Sequence, residues 1–103
     1  KDFPEVSMEK NMLNPPSHCA PGGEMMKILQ RNVNELRGFK PAPVVSLGGT
    51  DARLWRYKNI PAYVYGPAPT GMGSTNENVP VDDYLHIVRT HALSAFDYLN
   101  LSD

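Results

Sequence analysis

Residues 44–56 read VVSLGGTDARLWR and place an apolar run directly before a turn of small and charged residues. The run 44–47 is short and rich in β-branched residues, which predicts a buried strand. Gly48 and Gly49 then permit a tight change of direction. Residues 51–57 predict about two helical turns after it. The stretch therefore predicts a strand, a turn and a short helix in succession.

Two longer helices flank this unit. Residues 24–37 carry apolar side chains at helical spacing, with an acid in the first turn and Arg37 followed by Gly38 at the end. The apolar stripe of this helix is Met25, Leu29, Val33 and Leu36. A second helix is predicted to begin at a cap formed by Asp82. Its apolar stripe is Leu85, Val88, Ala92, Ala95, Phe96 and Leu99.

Two further strands complete the predicted fold. Residues 6–9 alternate apolar and polar side chains, and residues 62–65 form a second apolar run after the short helix. A stiff connector, 14–23, separates the first strand from the first helix. The order strand, helix, strand, short helix, strand, helix predicts an α/β fold of layered helices and sheet with parallel neighbours. Leu54 and Trp55 are expected to turn inward, towards that sheet.

The composition restricts the class of protein. The chain has 103 residues, 41% hydrophobic and 20% charged, which fits one globular domain with a small core. Ten basic and eleven acidic residues give a net charge of -1, which argues against nucleic acid or an anionic membrane as the main partner. No apolar run approaches the ~20 residues that cross a bilayer. The single Cys19 fits a reducing compartment, so a cytoplasmic location is expected.

The turn GGTDAR is the strongest candidate for a binding site. Glycines let a ligand approach the backbone closely, and the start of a helix offers free N–H groups to an anion, most naturally a carboxylate. Thr50 can donate from its hydroxyl, and Arg53 can form a fork with a carboxylate. A second interpretation stays open, in which the glycines only make a turn and Arg53 only pairs with Asp51.

The remaining polar residues do not form a complete catalytic set. The glycine-rich loop 71–79 contains Asn76 and Glu77, which can satisfy loop amides or face a ligand. His86 and His91 are five apart on a helix and point roughly 140° apart, so they cannot share a metal and are expected to be partly exposed. His18 and Cys19 are adjacent in the connector, and no second cysteine completes a zinc pattern.

Residues 44–99 resemble the C-terminal segment of the zinc-dependent aminoacylase family. That family includes acetylornithine deacetylase, succinyl-diaminopimelate desuccinylase and related carboxypeptidases. The resemblance is carried by VVSLGGTDARLWR, then IPAYVYGP, then STNENVPVDDYLHIV. The helix MMKILQRNVNEL and the proline pair before it are similar to what precedes these motifs in such enzymes.

The resemblance implies a domain organisation and a site. Residues 1–14 would hold the last strand of an inserted lid or dimerisation domain and the start of the connector. Residues 15–103 would form the C-terminal part of an α/β catalytic domain. Four residues are expected to bind substrate: Gly48, Gly49, Thr50 and Arg53. No catalytic residue and no metal ligand are expected among the 103 residues, because the histidine, aspartate and glutamate motifs of the family have no counterpart here.

The resemblance also implies a function for a longer parent. That parent would be a metal-dependent amidohydrolase, a deacylase or peptidase acting on N-acyl amino acids or small peptides. Its divalent metal would be zinc, with cobalt or manganese as alternatives, and the present segment would be inactive alone. Its partners would be the substrate, the remainder of the same polypeptide and, in a dimer, a second copy. The expected first strand, 6–9, is the segment that would pair or swap.

One departure from the family pattern keeps alternatives open. The last metal-ligand histidine of the family usually stands three residues before the Asn-Glu pair, and Gly73 occupies that position here. The chain would then belong to a subgroup with one metal, take a ligand from elsewhere, or bind a carboxylate without catalysis. A free-standing α/β interaction module is a further alternative.

Overall fold

The computed structural model describes residues 3–101, and within that range the regular structure is helical. Helix α1 runs from Glu24–Arg37, helix α2 from Ala52–Arg56 and helix α3 from Val81–Leu99. Helices α1 and α3 pack against each other. The short helix α2 follows the GGTD turn and lies between the irregular segments 44–47 and 62–65.

Helix α1 begins and ends at the residues that the sequence predicts. Glu24 lies in the first turn and Arg37 in the last, each favourably placed with respect to the helix dipole. The helix ends where Gly38 adopts φ 75°, and the Gly38 N–H donates to the Asn34 carbonyl at 2.8 Å. A left-handed residue at this position closes a helix and favours glycine. The predicted helix over residues 24–37 is confirmed.

Helix α3 begins two residues earlier than a cap at Asp82 requires. Its N-cap is Pro80, and no side chain caps the helix there. Asp82 and Asp83 instead lie in the first turn, where acidic side chains are favourable. Arg37 of α1 reaches this turn, donating to the Asp83 carboxylate at 2.9 Å and to the Asp82 carbonyl at 3.1 Å. The helix was predicted correctly, and its cap was not.

The contact between α1 and α3 is polar. Asn32 of α1 is 2% exposed and donates through Nδ2 to Ser94 Oγ at 3.2 Å and to Asp97 Oδ2 at 2.9 Å. Arg31 adds an ion pair with the same Asp97 oxygen at 2.7 Å. Thr90 of α3 is fully buried in this contact layer. We call these contacts of Arg31, Asn32, Thr90, Ser94 and Asp97 the polar seam. Its hydrogen bond between Asn32 and Ser94 is buried, and buried hydrogen bonds are strong and directional, so this bond helps to fix the register of the two helices.

The apolar stripe predicted for α3 does not face α1. The buried positions of α3 are His86, Thr90 and Ser94, which lie on a different face of the helix. The apolar residues of the stripe are largely exposed, up to 81% for Leu99. The same holds for the short helix, since Leu54 and Trp55 are 54% and 59% exposed rather than turned inward. These apolar faces find no partner among residues 3–101.

The predicted α/β fold class is wrong for this structure. Within residues 3–101 there is no sheet, and the one β-type pairing is an isolated antiparallel bridge between Thr70 and Asn78. The segments 6–9, 44–47 and 62–65 do not form strands. Strands are stabilised by backbone hydrogen bonds to a neighbouring strand, and none of these three segments exchanges such bonds within the described range. The three predicted strands, 6–9, 44–47 and 62–65, are therefore wrong for this structure.

The molecule is flat and has very little apolar core. Its radius of gyration is 18.2 Å and its extents are 59 × 40 × 19 Å, whereas a compact chain of about 100 residues has a radius near 13 Å. Ile28 and Val33 are the buried hydrophobic residues within the described range. None of the helices in that range has the length and apolar composition to cross a membrane.

The proposed domain boundary stays a prediction. It divides residues 1–14 from 15–103, and residues 1, 2, 102 and 103 lie outside the described range. Within the first segment, the Val6 N–H donates to the Phe3 carbonyl at 3.0 Å, which closes a turn.

The polar seam makes the free energy of unfolding depend on pH in the acid range. The hydrogen bond from Asn32 is the main cause that lowers the pKa of Asp97 below its usual 3.8; partial burial opposes it and Arg31 adds to it. A lowered pKa in the folded state contributes stability that is present above about pH 4 and is lost as the pH falls through the folded value. Below about pH 4, the urea concentration that unfolds half of the protein should fall as the pH is lowered. We expect this fall to be smaller in Asp97→Asn. Exposed Glu35 on α1 provides the control variant, Glu35→Gln, which should keep the wild-type profile; equal profiles for both variants would contradict the expectation.

Candidate substrate-binding groove

The turn before α2 is braced by its own side chains. The Ala52 N–H donates to Thr50 Oγ1 at 3.4 Å. Arg53 folds back, and its Nη1 donates to the Thr50 carbonyl at 3.0 Å and to Asp51 Oδ1 at 3.1 Å. Helix α2 has five residues, which is too short to provide the helix-dipole anion site expected from the sequence. The hydrogen bonds of Arg53 serve the turn.

The two glycines leave the backbone of this turn open. A Cβ at Gly49 would meet no atom within 4 Å, and a Cβ at Gly48 would meet Ser46 Oγ at 3.5 Å. Neither glycine adopts a positive φ. Neither the backbone conformation nor the available space therefore requires glycine at these two positions. The Gly48 N–H donates to Ser46 Oγ at 3.2 Å, which folds the end of the 44–47 segment into the turn.

A groove of about 570 Å³ lies beside the turn. Thr50 and Arg56 contribute polar groups to its lining, while Met26, Leu29 and Val45 contribute apolar surface. Gly48, Gly49 and Arg53 do not line it. Of the four predicted substrate-binding residues, the structure brings Thr50 to the groove wall and uses Arg53 to hold Thr50 in place.

The loop 70–78 is closed by its own hydrogen bonds. Thr70 and Asn78 exchange backbone hydrogen bonds at 2.8 and 3.1 Å. Gly73 has φ 77°, and its N–H donates to Glu77 Oε2 at 3.1 Å. The Glu77 carboxylate is therefore engaged in holding the loop. The position at which the family pattern leads us to expect a histidine is a left-handed glycine in this structure.

A pair of glycine substitutions tests this description of the two turns. Gly73→Ala is expected to destabilise the protein by about 1–2 kcal/mol, because a left-handed backbone is unfavourable for alanine even where space is open. Gly49→Ala has equal space and no positive φ, so its effect should stay within about 0.5 kcal/mol. Urea unfolding of both variants measures the difference. Equal midpoints would show that the backbone of Gly73 does not have this conformation.

Tyr65 and His86 form a second polar cluster, which the sequence did not reveal. Tyr65 Oη and His86 Nε2 are 2.8 Å apart, and Thr90 Oγ1 lies 3.4 Å from His86 Nδ1. His91 Nε2 reaches the Tyr65 carbonyl at 2.9 Å. A cavity of about 250 Å³, lined in part by Arg37 and by this pair, adjoins the cluster. His86 is therefore 9% exposed rather than partly exposed as expected.

Burial changes the acidity of this pair. Desolvation is the main cause that lowers the pKa of His86 below 6.5; Arg37 and Arg89 act in the same direction and Asp83 opposes them. Desolvation also raises the pKa of Tyr65 above 10.0. Both groups are therefore neutral near pH 7. The pair is a neutral hydrogen bond that ties the segment 62–66 to α3.

The described residues do not fit a metal ion. No group of three histidine, cysteine, aspartate or glutamate side chains lies together between residues 3 and 101. Both ring nitrogens of His86 face hydroxyl groups, and Glu77 accepts a loop amide. The Cys19 thiol donates to the Ala62 carbonyl at 3.4 Å. None of these side chains is free and grouped in the way that metal coordination requires.

The Thr50 turn thus lies beside a groove whose lining mixes apolar and polar residues. The chain belongs to Peptidase family M20/M25/M40, whose family model matches residues 5–96. No curated protein and no solved structure matches the chain. The family match confirms the resemblance at the level of these metal-dependent hydrolases, and the narrower deacylase subfamilies remain a prediction.

Proposed function

We propose that this chain is the C-terminal segment of a metal-dependent amidohydrolase that cleaves N-acyl amino acids or small peptides. The family match over residues 5–96 is the observation that carries the proposal. The groove beside Thr50 supports it, because its size and mixed lining suit a small ligand with an apolar part and a polar part.

The chain would contribute one wall of the substrate site. In this proposal the Thr50 hydroxyl donates to a carboxylate or amide oxygen of the substrate. The open backbone at Gly48 and Gly49 would let the substrate approach, and Arg53 would keep the turn in shape through its bonds to Thr50 and Asp51. Because residues 3–101 do not fit a metal, the metal ligands and the general base would come from other parts of the polypeptide. We propose zinc as the metal, with cobalt or manganese as alternatives.

The proposed partners follow from the same reasoning. The exposed apolar faces of α2 and α3 would pack against the remainder of the polypeptide, and a second copy could join through an inserted domain. The lone Cys19 supports a cytoplasmic location. The isolated segment is expected to be inactive.

Turnover of a substrate panel tests the proposal. The protein at its full encoded length is assayed with N-acyl amino acids and dipeptides, with and without zinc, cobalt or manganese. We expect metal-dependent hydrolysis whose kcat/KM Thr50→Ala reduces about tenfold, since a hydrogen bond to the substrate is lost. Thr75→Ala, at an exposed position of the loop 70–78, should leave the rate unchanged. A well-folded protein that hydrolyses nothing in the panel with any metal would overturn the enzymatic function.

A second candidate function is favoured by Gly73. Because this glycine stands where a histidine ligand is expected, the protein could instead bind a carboxylate ligand without hydrolysing it. Calorimetry at full encoded length separates the two. Ligand binding that survives a chelator, together with no turnover, supports the binding protein, whereas binding that requires metal supports the enzyme.

A further inference from the structure

Tyr65 connects the groove to helix α3 through both of its polar groups. Its hydroxyl lies 2.8 Å from His86 Nε2, and its carbonyl accepts a hydrogen bond from His91 Nε2 at 2.9 Å. The rings of Tyr65 and His86 meet edge to face, with centroids 5.8 Å apart. The two histidines of α3 therefore hold one tyrosine, His86 by its side chain and His91 by its backbone.

Tyr65 belongs to a short segment, residues 62–66, which we call the partition. All of its residues line the groove of about 570 Å³. Tyr65 and Gly66 also line the cavity of about 250 Å³ beside His86. Open space therefore adjoins Tyr65 in the groove and in the cavity, which leaves this end of the partition room to move.

Side chains hold the partition at its two ends. At the first end, the Ala62 carbonyl accepts hydrogen bonds from Cys19 Sγ at 3.4 Å and from Arg56 Nη1 at 3.2 Å. At the second end, Tyr65 is bound to α3. Within residues 3–101 the partition makes no hydrogen bond between backbone groups. The contacts of Tyr65 with α3 therefore decide where the second end of the partition lies.

The contact between Tyr65 and His86 depends on the charge of the imidazole. Nδ1 of His86 lies 3.4 Å from the Thr90 hydroxyl, which can accept its hydrogen, so Nε2 can accept the hydrogen of the Tyr65 hydroxyl. A charged imidazole donates at both nitrogens and accepts at neither, so binding of a proton removes this acceptor. His91 differs, because its Nε2–H donates to a carbonyl in both the neutral and the charged ring.

The charges around His86 also oppose a charged ring. Arg37 on α1 and Arg89 on α3 face it, together with the acid Asp83 on α3. The Asp83 carboxylate is already paired with Arg37 at 2.9 Å. Burial is the main cause that lowers the pKa of His86 below 6.5, the two arginines add to it, and Asp83 opposes it. A charged His86 is therefore better accommodated once the Tyr65 end of the partition moves away and water reaches the ring.

We propose that His86 is a positioning residue of the groove: its neutral ring holds the partition in place through Tyr65, and its charged ring releases that end of the partition. We take the groove as the substrate site, so this role rests on the proposed function. His86 does not line the groove and acts on a ligand only through Tyr65. The affinity of the groove for a ligand should therefore fall in mild acid.

Nuclear magnetic resonance at two positions tests the release directly. The protein at its full encoded length carries 13C in its tyrosine rings and valine methyl groups, and the signals of Tyr65 and Val64 are assigned from their absence in Tyr65→Phe and Val64→Ile. Val64 is 66% exposed and lies on the partition, so its methyl groups report where the partition lies. Between about pH 7.5 and 5.5 we expect both signals to shift with a common midpoint below 6.5. A shift of Tyr65 with stationary Val64 signals would overturn the proposal.

Three variants identify the group that binds the proton. His86→Gln should abolish the shift of the Val64 signals, and Tyr65→Phe, which lacks only the hydroxyl, should place them at their acid position already at about pH 7.5. His18→Gln changes an exposed histidine that also lines the groove and should retain the wild-type titration. If His86→Gln does not fold, Tyr65→Phe decides alone. Val64 signals that titrate in Tyr65→Phe as they do in the wild type would contradict the role of His86.

Kinetic constants provide a second measurement where a substrate of the panel is hydrolysed. KM should rise as the pH falls below about 6.5, by at most about tenfold per pH unit because one proton is bound, and this rise should be absent in Tyr65→Phe. A change confined to kcat, with the same KM profile in both proteins, would contradict the positioning role. A protein that hydrolyses nothing, but whose Val64 signals follow His86, would lose the enzymatic function and retain this inference.

Discussion

Asn32→Ala is expected to destabilise the protein by about 2–4 kcal/mol, because it removes two hydrogen bonds, one of them to a carboxylate, and leaves the buried Ser94 hydroxyl without this partner. Asn32 is 2% exposed and connects α1 to both Ser94 and Asp97. Since the described part of the chain buries little apolar surface, this seam holds the two long helices together. The loss should be a large share of the total free energy of unfolding. Circular dichroism during urea titration measures it.

Asn34 provides a matched control on the same helix. It is exposed, and Asn34→Ala makes the same change of residue type and of helix propensity. We expect Asn34→Ala to unfold at or slightly above the wild-type urea concentration. Coincident curves for the two variants would show that the polar seam does not hold α1 against α3.

Acidification below about pH 6.5 is expected to weaken the attachment of the segment 62–66 to α3. Burial and the neighbouring Arg37 lower the pKa of His86 below 6.5, so the unfolded chain binds a proton at a higher pH than the folded one. Stability is therefore retained above about pH 6.5 and declines as the pH falls towards the folded pKa. Charging the ring also disturbs the 2.8 Å contact with Tyr65. Melting temperatures between about pH 7.5 and 5.5 measure the decline.

Two histidine variants separate this effect from general acid sensitivity. His86→Gln should lower the melting temperature at pH 7.5, because the buried contact with Tyr65 is disrupted, and should reduce the dependence on pH in this range. His18→Gln, which changes an exposed histidine outside this cluster, should retain the wild-type dependence. If His86→Gln declined with pH as steeply as the wild type, the assignment of the effect to His86 would be wrong.

Helices α1 and α3 could be predicted because their signals are local. Glu24, Arg37 and Gly38 mark the two ends of α1 within the sequence itself. The segments 44–47 and 62–65 could not be placed, because a strand depends on a neighbour that sequence periodicity does not supply. Periodicity also identified the apolar face of α3 but could not show that its polar face would pack on α1.

The site was predicted in part for a similar reason. The motif GGTDAR identified Thr50, which lies on the groove, and left open whether Arg53 binds a ligand or the turn; its bonds in the structure are to the turn. Nothing in the sequence indicated that Arg56 lines the groove, because a charged residue near the end of a short helix carries no motif. Tyr65 and His86 were missed because they are 21 residues apart and meet only in the folded chain.

The thin, flat shape has a thermodynamic consequence. Unfolding of a globular chain raises the heat capacity by about 12–15 cal/mol/K per residue, chiefly because apolar groups become hydrated. Here most large apolar side chains of residues 3–101 are already hydrated in the folded form. Calorimetry of the 103-residue chain should therefore give a heat-capacity increment well below that range and a broad, weakly cooperative transition.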